Sequence, residues 1–405
     1  MRAVFVSNYI NHHQIPFCNA MSRLLQGEFV FVQTERMEAE RVRMGWHEQE
    51  RPAYVHVFRE EEAYCRKLIS DCDMVLFGGT DDESYIGERL KAGKPVIRIS
   101  ERLYKTGQWK AVSPRGLRKK YLDHTRYRKA PVYLLCAGAY VPSDFHIVRA
   151  YPGKMYCWGY FPETKYYDQD ALLEQKGYGE EKLPYLLWAA RMIDWKHPEL
   201  PIETAKYLKD KNLAFHMDVI GDGELGAKIR GLAQHYGLED SVRFLGYQAP
   251  EDVRSYMEKA NIFLLTSDRQ EGWGAVANEA MNSGCALVAG HMAGAVPYLI
   301  EHKTNGMIYE DGNTKHLFGL TETLVTDKIL CRQLGKNACK TILEVWNAEN
   351  AAKQLYRLMR NILNLENPES DDKRAQEGSF PKMIPCAPAP VLSERNARKK
   401  YRNRT

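Results

Sequence analysis

The 405-residue chain contains no run of about 18 apolar residues, so no membrane-spanning helix is expected. No charged stretch leading into an apolar core opens it. It runs straight into the strand-like Arg2-Ala-Val-Phe-Val6, and no secretion signal is expected. Its nine cysteines (18, 65, 72, 136, 157, 285, 331, 339 and 386) form no C-x-x-C pair, and their number is odd. That pattern argues against a zinc or disulfide framework and for reduced thiols in a cytoplasmic protein. An excess of one charge is also missing. The net charge is +5 and the pI about 8.5, too mild to argue for nucleic acid, and no nucleic-acid-binding motif is present. What remains is 44% hydrophobic and 27% charged, the composition of a soluble globular chain long enough for two or three domains.

Short apolar runs alternate with helical patterns. Val4–Val6, Phe29–Val32, Met74–Phe77, Val96–Ile99 and Val132–Cys136 read as buried strands, separated at first by helical patterns near 15–25, 61–70 and 82–92. The rhythm restarts after residue 180 with Leu186–Ala189, Phe215–Ile220, Val242–Leu245, Ile262–Leu265, Ala286–Ala289 and Gly306–Tyr309. Helical patterns near 198–210, 226–236, 250–258 and 275–283 alternate with them. This predicts an α/β chain with two doubly wound parallel sheets, 1–165 and 166–345, followed by a helix within 346–366. Residues 367–405 turn polar, then Pro-rich, then basic (Arg395-Asn-Ala-Arg-Lys-Lys-Tyr-Arg-Asn-Arg404), which reads as a disordered basic tail.

The segment richest in chemistry is Glu271-Gly-Trp-Gly-Ala-Val-Ala-Asn-Glu279. A strand-like run precedes it and a helix-like run follows, the order that builds a phosphate site from unpaired amides and a helix dipole. A carboxylate at each end is a cost when the ligand is phosphate alone. It makes sense when the ligand also carries hydroxyls, which carboxylates accept well. Phosphate plus hydroxyls describes a nucleotide sugar. A second segment, Arg191-Met-Ile-Asp-Trp-Lys196, leaves the first strand of the second half. Its two cations suit a diphosphate clamp or, taken alone, an ordinary surface pair. Gly221-Asp-Gly-Glu-Leu-Gly226 matches G-x-G-x-x-G, but the next strand ends in Gly246-Tyr247 rather than in the acidic residue a dinucleotide ribose needs. A tight turn beside another nucleotide is the better reading.

Together these segments resemble the family 4 glycosyltransferases of the GT-B fold, most strongly over 183–312. The resemblance is carried by Trp188-Ala-Ala-Arg191 with Lys196, Val219-Ile-Gly-Asp-Gly223, Val242-Arg-Phe-Leu-Gly246, Glu271 to Gly284, and Ala293-Gly-Ala-Val-Pro-Tyr-Leu-Ile-Glu301 running to Asn305-Gly306. It implies two Rossmann-like domains facing a cleft, with the terminal helix after Trp346 crossing back onto the N-terminal domain. It implies that Arg191 and Lys196 hold the donor diphosphate in place of a metal, that Glu279 accepts from the ribose and that Glu271 meets the hexose. Gly221, Gly223, Tyr247 and the backbone of Gly272, Trp273, Gly274, Ala275 and Val276 would complete the donor site. Transfer with retention, no protein nucleophile, no cofactor, no metal and a UDP-sugar in preference to a GDP-sugar follow from the same resemblance.

The N-terminal half departs from that family's pattern. A glycine-rich loop after the first strand is replaced by Ser7-Asn-Tyr-Ile-Asn-His-His-Gln-Ile-Pro16, similar to a variant in bacterial capsule and exopolysaccharide transferases. The histidine often found after a later strand is missing, and Ser100-Glu-Arg-Leu-Tyr104 stands there. His12, His13 or Glu101 is expected to serve the acceptor side, although one histidine could instead cap the next helix. Arg115 to Lys129 interleaves cations with Tyr and Leu, which suits a helix on anionic lipid, a solvated helix face or, as the least favoured reading, nucleic-acid contact. The basic tail could assist at such a surface. The expected protein is a cytoplasmic transferase, possible at the inner membrane face, that extends a lipid-linked or polysaccharide precursor. A sugar-nucleotide epimerase of the same fold and a non-catalytic partner subunit are the alternatives.

Overall fold

A computed structural model describes residues 1–37, 51–107, 111, 113–179 and 181–365. The chain divides into two compact units. Among the described residues, the first holds 1–163 together with 344–365, and the second holds 164–343. The basic tail expected over 367–405 lies outside the described residues.

The first unit is built on β1 (Ala3–Ser7), β2 (Phe29–Gln33), β3 (Val55–Val57), β4 (Met74–Phe77), β5 (Val96–Ser100), β6 (Val132–Ala137) and β7 (Met155–Trp158). These seven strands pair in the order β3-β2-β1-β4-β5-β6-β7, parallel throughout. β1 and β4 are buried at every position, as expected of a central strand covered by helices on both faces. The sequence pattern missed β3 and β7. Both are edge strands, three and four residues long and only partly buried; a histidine interrupts Val55-His-Val57, and Met155-Tyr-Cys-Trp158 is apolar but short and holds no β-branched residue.

The second unit contains β8 (Tyr185–Ala189), β9 (His216–Ile220), β10 (Val242–Gly246), β11 (Ile262–Leu265), β12 (Ala286–Gly290) and β13 (Met307–Tyr309). They pair in the order β10-β9-β8-β11-β12-β13, again all parallel. Every one of these strands was expected from its apolar run. The core of this unit gathers Leu186, Trp188, Val219, Leu264 and Val288 from neighbouring strands.

The terminal helix, Ala348–Ile362, belongs to the first unit, so the chain crosses back after the second sheet as the resemblance implied. Asn347 caps it by accepting from the Asn350 amide at 2.9 Å. Ala351, Ala352, Leu355, Leu358 and Met359 recur at helical spacing and are buried. Each leucine or methionine so buried contributes about 1.5–3 kcal/mol. The helix packs on Ile15–Leu24, and Trp346 stacks on Phe161 with ring centroids 6.0 Å apart.

Candidate functional site

In both sheets the chain winds outward from one central pair of strands, β1 and β4 in the first unit and β8 and β11 in the second. Loops leaving the C-terminal ends of such a pair run in opposite directions and leave a crevice, the usual ligand position in a doubly wound sheet. In the second unit the two loops are 190–197, with Arg191 and Lys196, and 266–275, with Glu271. The topology therefore brings together the residues that the motifs singled out.

The two loops are tied directly. The Trp188 indole donates to Thr266 Oγ1 at 2.8 Å, and that hydroxyl donates to the Lys196 carbonyl at 2.7 Å. The Asp268 amide donates to the Trp195 carbonyl at 3.0 Å. These bonds carry Lys196 to Glu271, where the ammonium and the carboxylate form an ion pair across 75 residues of sequence. Both side chains are largely buried, at 13% and 11% exposure. The Trp195 ring, 4.5 Å from Lys196 Nζ, adds a second favourable partner for the ammonium.

Glycine shapes the crevice at two places. Gly221 has φ +113°, and a side chain there would collide with the Ala190 carbonyl. At Gly223 a Cβ would stand 2.6 Å from the Met192 carbonyl oxygen. These glycines let the loop after β9 lie against the loop after β8, an approach secured by the Met192 amide donating to Asp222 at 2.9 Å. That accounts for the G-x-G without a dinucleotide. Gly274, at φ +96°, turns the Glu271 loop into the helix Val276–Asn282. Trp273 anchors that turn. Its ring is buried and donates to Asn278 Oδ1 at 2.8 Å, so its side chain is committed to the core. The carbonyls of Glu271 and Trp273 accept from the amides of Gly294 and Ala295 at 3.1 and 3.0 Å. Gly272 is buried within this turn, whereas Ala275 and Val276 at the helix start are half-buried.

Glu279 projects from the first part of that helix. Burial pushes its carboxyl up to about 7, with Arg254 acting in the opposite direction. Arg254 donates to Asn282 one turn further on, and Asn282 accepts from the Lys165 amide at 2.8 Å. Arg191 is half-buried in the loop after β8, and Tyr247, just beyond β10, is 56% exposed.

In the first unit, His12 and His13 lie in the loop between β1 and the helix Ile15–Leu24, with ring centroids 3.9 Å apart. That loop sits at the β1/β4 switch point and is well fixed. The Asn11 carbonyl accepts from the amides of Gln14 and Ile15, and the Ile10 amide donates to Gln33 at 3.3 Å. The helix N-cap is Gln14, so neither histidine caps it. Glu101 follows β5 and is engaged by Tyr160 and Lys105, each at 2.5 Å.

Sequence reasoning missed His197 and Asp268. His197 Nδ1 lies 2.9 Å from Glu199 Oε1, and Nε2 lies 3.6 Å from Asp268 Oδ2. The only signal was position, a His-Pro step directly after Lys196. Among the described residues, no group of three or more His, Cys, Asp or Glu is placed to hold a metal, and no helix is long and apolar enough to cross a membrane.

Residues 171–341, all within the second unit, match the family model described as glycosyl transferases group 1. The chain is 31% identical over 137 residues to the amylovoran biosynthesis glycosyltransferase AmsK of Erwinia amylovora, a match covering 33% of each protein. It is 25% identical over 183 residues to the putative colanic acid biosynthesis glycosyltransferase WcaL of Salmonella typhimurium, covering 44% of this chain and 45% of that one. The matches thus span less than half of these relatives. A crystal structure of Anabaena Alr3699/HepE in complex with UDP is similar in fold, with a TM-score of 0.67 and 17% identity over 89% of this chain and all of that one. The fold is GT-B, and the resemblance to bacterial polysaccharide glycosyltransferases read from the motifs is found again by comparison.

Proposed function

We propose that this chain, whose second unit matches the group 1 glycosyl transferases, is a retaining glycosyltransferase of the family 4 type. It would move a hexose-type sugar from a nucleotide diphosphate to a lipid-linked or polysaccharide precursor. The observation that carries the reading is the meeting of Lys196 and Glu271 at the β8/β11 switch point. A cation beside the diphosphate and a carboxylate beside sugar hydroxyls are what such a donor requires, and the two groups stand side by side.

In this reading Arg191 and Lys196 bind the diphosphate and stabilise it as the bond to the anomeric carbon breaks, without a metal. The leaving phosphate oxygen takes the proton of the acceptor hydroxyl as the new glycosidic bond forms. Glu271 orients the hexose and Glu279 accepts from the ribose. Tyr247 offers an exposed ring to the base. The acceptor is assigned to the first unit, through His12, His13 and Glu101. A UDP-sugar is preferred to a GDP-sugar, in line with the UDP-bound fold neighbour.

A thermal-shift panel of UDP, GDP, ADP and their sugars tests the donor assignment, because a ligand stabilises according to its affinity and concentration. UDP and one UDP-sugar are expected to raise the midpoint most. Hydroxyl donors favour the ionised form of Glu279, so the UDP shift should grow as the pH rises through about 7. In the Glu279→Gln variant that dependence should flatten. No response to any nucleotide would sink the reading, and turnover of the sugar nucleotide to its epimer without acceptor would replace it with the epimerase.

The place of action is proposed as the cytoplasmic face of a membrane. The helix Pro114–Asp123 has no buried residue, and Leu117, Tyr121 and Leu122 are 43%, 56% and 41% exposed beside Arg115, Arg118 and Lys119. Such a helix gains from burying its apolar side chains in a bilayer and its cations among anionic headgroups. Flotation with vesicles at low salt should therefore depend on anionic lipid, and should drop for Leu117→Ser/Tyr121→Ser. Equal flotation with neutral vesicles would refute the idea.

A further inference from the structure

We infer that His197 is a positioning residue: its imidazole, set between Glu199 and Asp268, locks the loop after β8 to the loop after β11 and so holds Lys196 in the donor site. This deepens the reading above and rests on it. His197 follows Lys196 directly and closes the 3-10 turn Asp194–Lys196 in the left-handed region, at φ +50°. Few residues other than glycine adopt that conformation, and histidine is among those that do so more often. Its amide donates to the Asp194 carbonyl at 3.0 Å, and the Lys196 amide donates to Ile193 at 3.1 Å. The orientation of Lys196 thus depends on the backbone that His197 terminates.

The imidazole reaches one carboxylate on its own side and one on the facing loop. Glu199 is hydrogen-bonded at 2.9 Å, and Asp268, at 3.6 Å, is in ion-pair contact. Asp268 organises the Glu271 loop. Its Oδ1 accepts from the Gln270 amide at 2.8 Å, its carbonyl accepts from the Glu271 amide at 3.1 Å, and its own amide reaches back to Trp195 at 3.0 Å. Two cations next to each other in sequence, Lys196 and His197, therefore face two carboxylates three residues apart, Glu271 and Asp268. The carboxylates of Asp268 and then Glu199 raise the imidazolium's pKa to about 10, so the clasp is charged throughout the neutral range. When a diphosphate draws on Lys196, the His197–Asp268 contact keeps the loops in register.

The test is a calorimetric titration of the full chain with UDP as the probe, on Lys196→Ala, His197→Gly and the double variant, each checked to be folded at the titration temperature. Glycine admits the left-handed backbone while removing the imidazole. Lys196→Ala is expected to weaken UDP at least about tenfold, and His197→Gly about three- to tenfold. The double variant should be no weaker than Lys196→Ala alone, because His197 acts through Lys196. In a transfer assay His197→Gly should raise the donor KM more than it lowers kcat. Unaltered UDP binding in His197→Gly, or losses that multiply in the double variant, would overturn the inference while the donor site stands. Unaltered binding in Lys196→Ala would overturn the donor site itself, and the inference with it.

Discussion

Replacing Lys196 by alanine is expected to lower sugar transfer by about 10²–10³-fold, the cost of losing one preorganised group aimed at developing charge. The ammonium is largely buried beside Glu271, in surroundings where its field is weakly screened. It is fixed before any donor arrives, through the Thr266 hydrogen bond to its own carbonyl and the Trp195 ring beneath it. An alanine there removes a charge already in place and leaves the Glu271 carboxylate without its partner. Arg191→Ala should act in the same direction. Glu271→Gln is the complementary change, because it keeps the shape and releases Lys196 from its counter-charge. If Glu271 contacts the hexose only as the bond breaks, Glu271→Gln should lower kcat and kcat/KM together, whereas loss of uniform binding would raise KM alone. Steady-state kinetics over a range of donor concentrations, together with unfolding midpoints, separate these cases. Transfer within a factor of two of wild type in both Lys196→Ala and Glu271→Gln would remove the site assignment.

Much of this site was legible in the sequence because chain order and sheet order are linked. Alternating apolar runs and helical patterns imply parallel strands, and parallel doubly wound sheets place their ligands at the switch point. Residues 196 and 271 could thus be expected to meet before any coordinate was known. The helix from Ala348 was equally visible, since its apolar residues repeat on one face after an asparagine cap. What could not be read were contacts that depend on side-chain direction across the fold. Tyr160 reaches Glu101 from 59 residues away, and nothing in either local pattern points to the other. His197 and Asp268 were missed for the same reason. Both lie in loops, where no periodicity marks a face, and the left-handed turn that aims His197 is not encoded by a glycine. β3 and β7 escaped because both are very short edge strands, β3 interrupted by His56 and β7 apolar over only four residues with no β-branched side chain.

The same sheet carries a second group of charges at mid-strand, with a different expected consequence. Asp218 is fully buried in the middle of β9. Its carboxylate accepts from Arg243 Nε and Nη2 at 2.9 and 2.8 Å and from the Tyr185 hydroxyl at 2.5 Å, and His216 Nε2 lies 3.0 Å away. His216 and Asp218 are two residues apart and so share a face, while Arg243 is the direct neighbour of Asp218 in the β10 register. Burial alone would raise the carboxyl's pKa. The hydrogen bonds from Arg243 and Tyr185, with the charge of His216 behind them, outweigh that and hold it below the ordinary carboxylate value. A depressed carboxylate contributes stability above its unfolded pKa of about 3.9 and loses it as the pH falls through the lower folded value. Asp218→Asn should therefore destabilise the second unit at neutral pH and reduce its sensitivity to acid. Arg243→Ala should do more, since it strands a buried charge. Breaking a buried pair costs about 3–5 kcal/mol. Because the arginine is itself half-exposed, about 2–3 kcal/mol is the fitting expectation. At about 2–4 °C per kcal/mol for a unit of this size, the calorimetric midpoint should fall by about 4–12 °C. Arg230→Ala provides the contrast. It breaks a pair of similar length with Asp222, at 3.0 Å, but there the arginine is 42% and the aspartate 31% exposed rather than fully buried, and the loss should stay within about 1 kcal/mol. Equal midpoints for the two arginine variants would show that burial of Asp218 does not set the strength of its pairing.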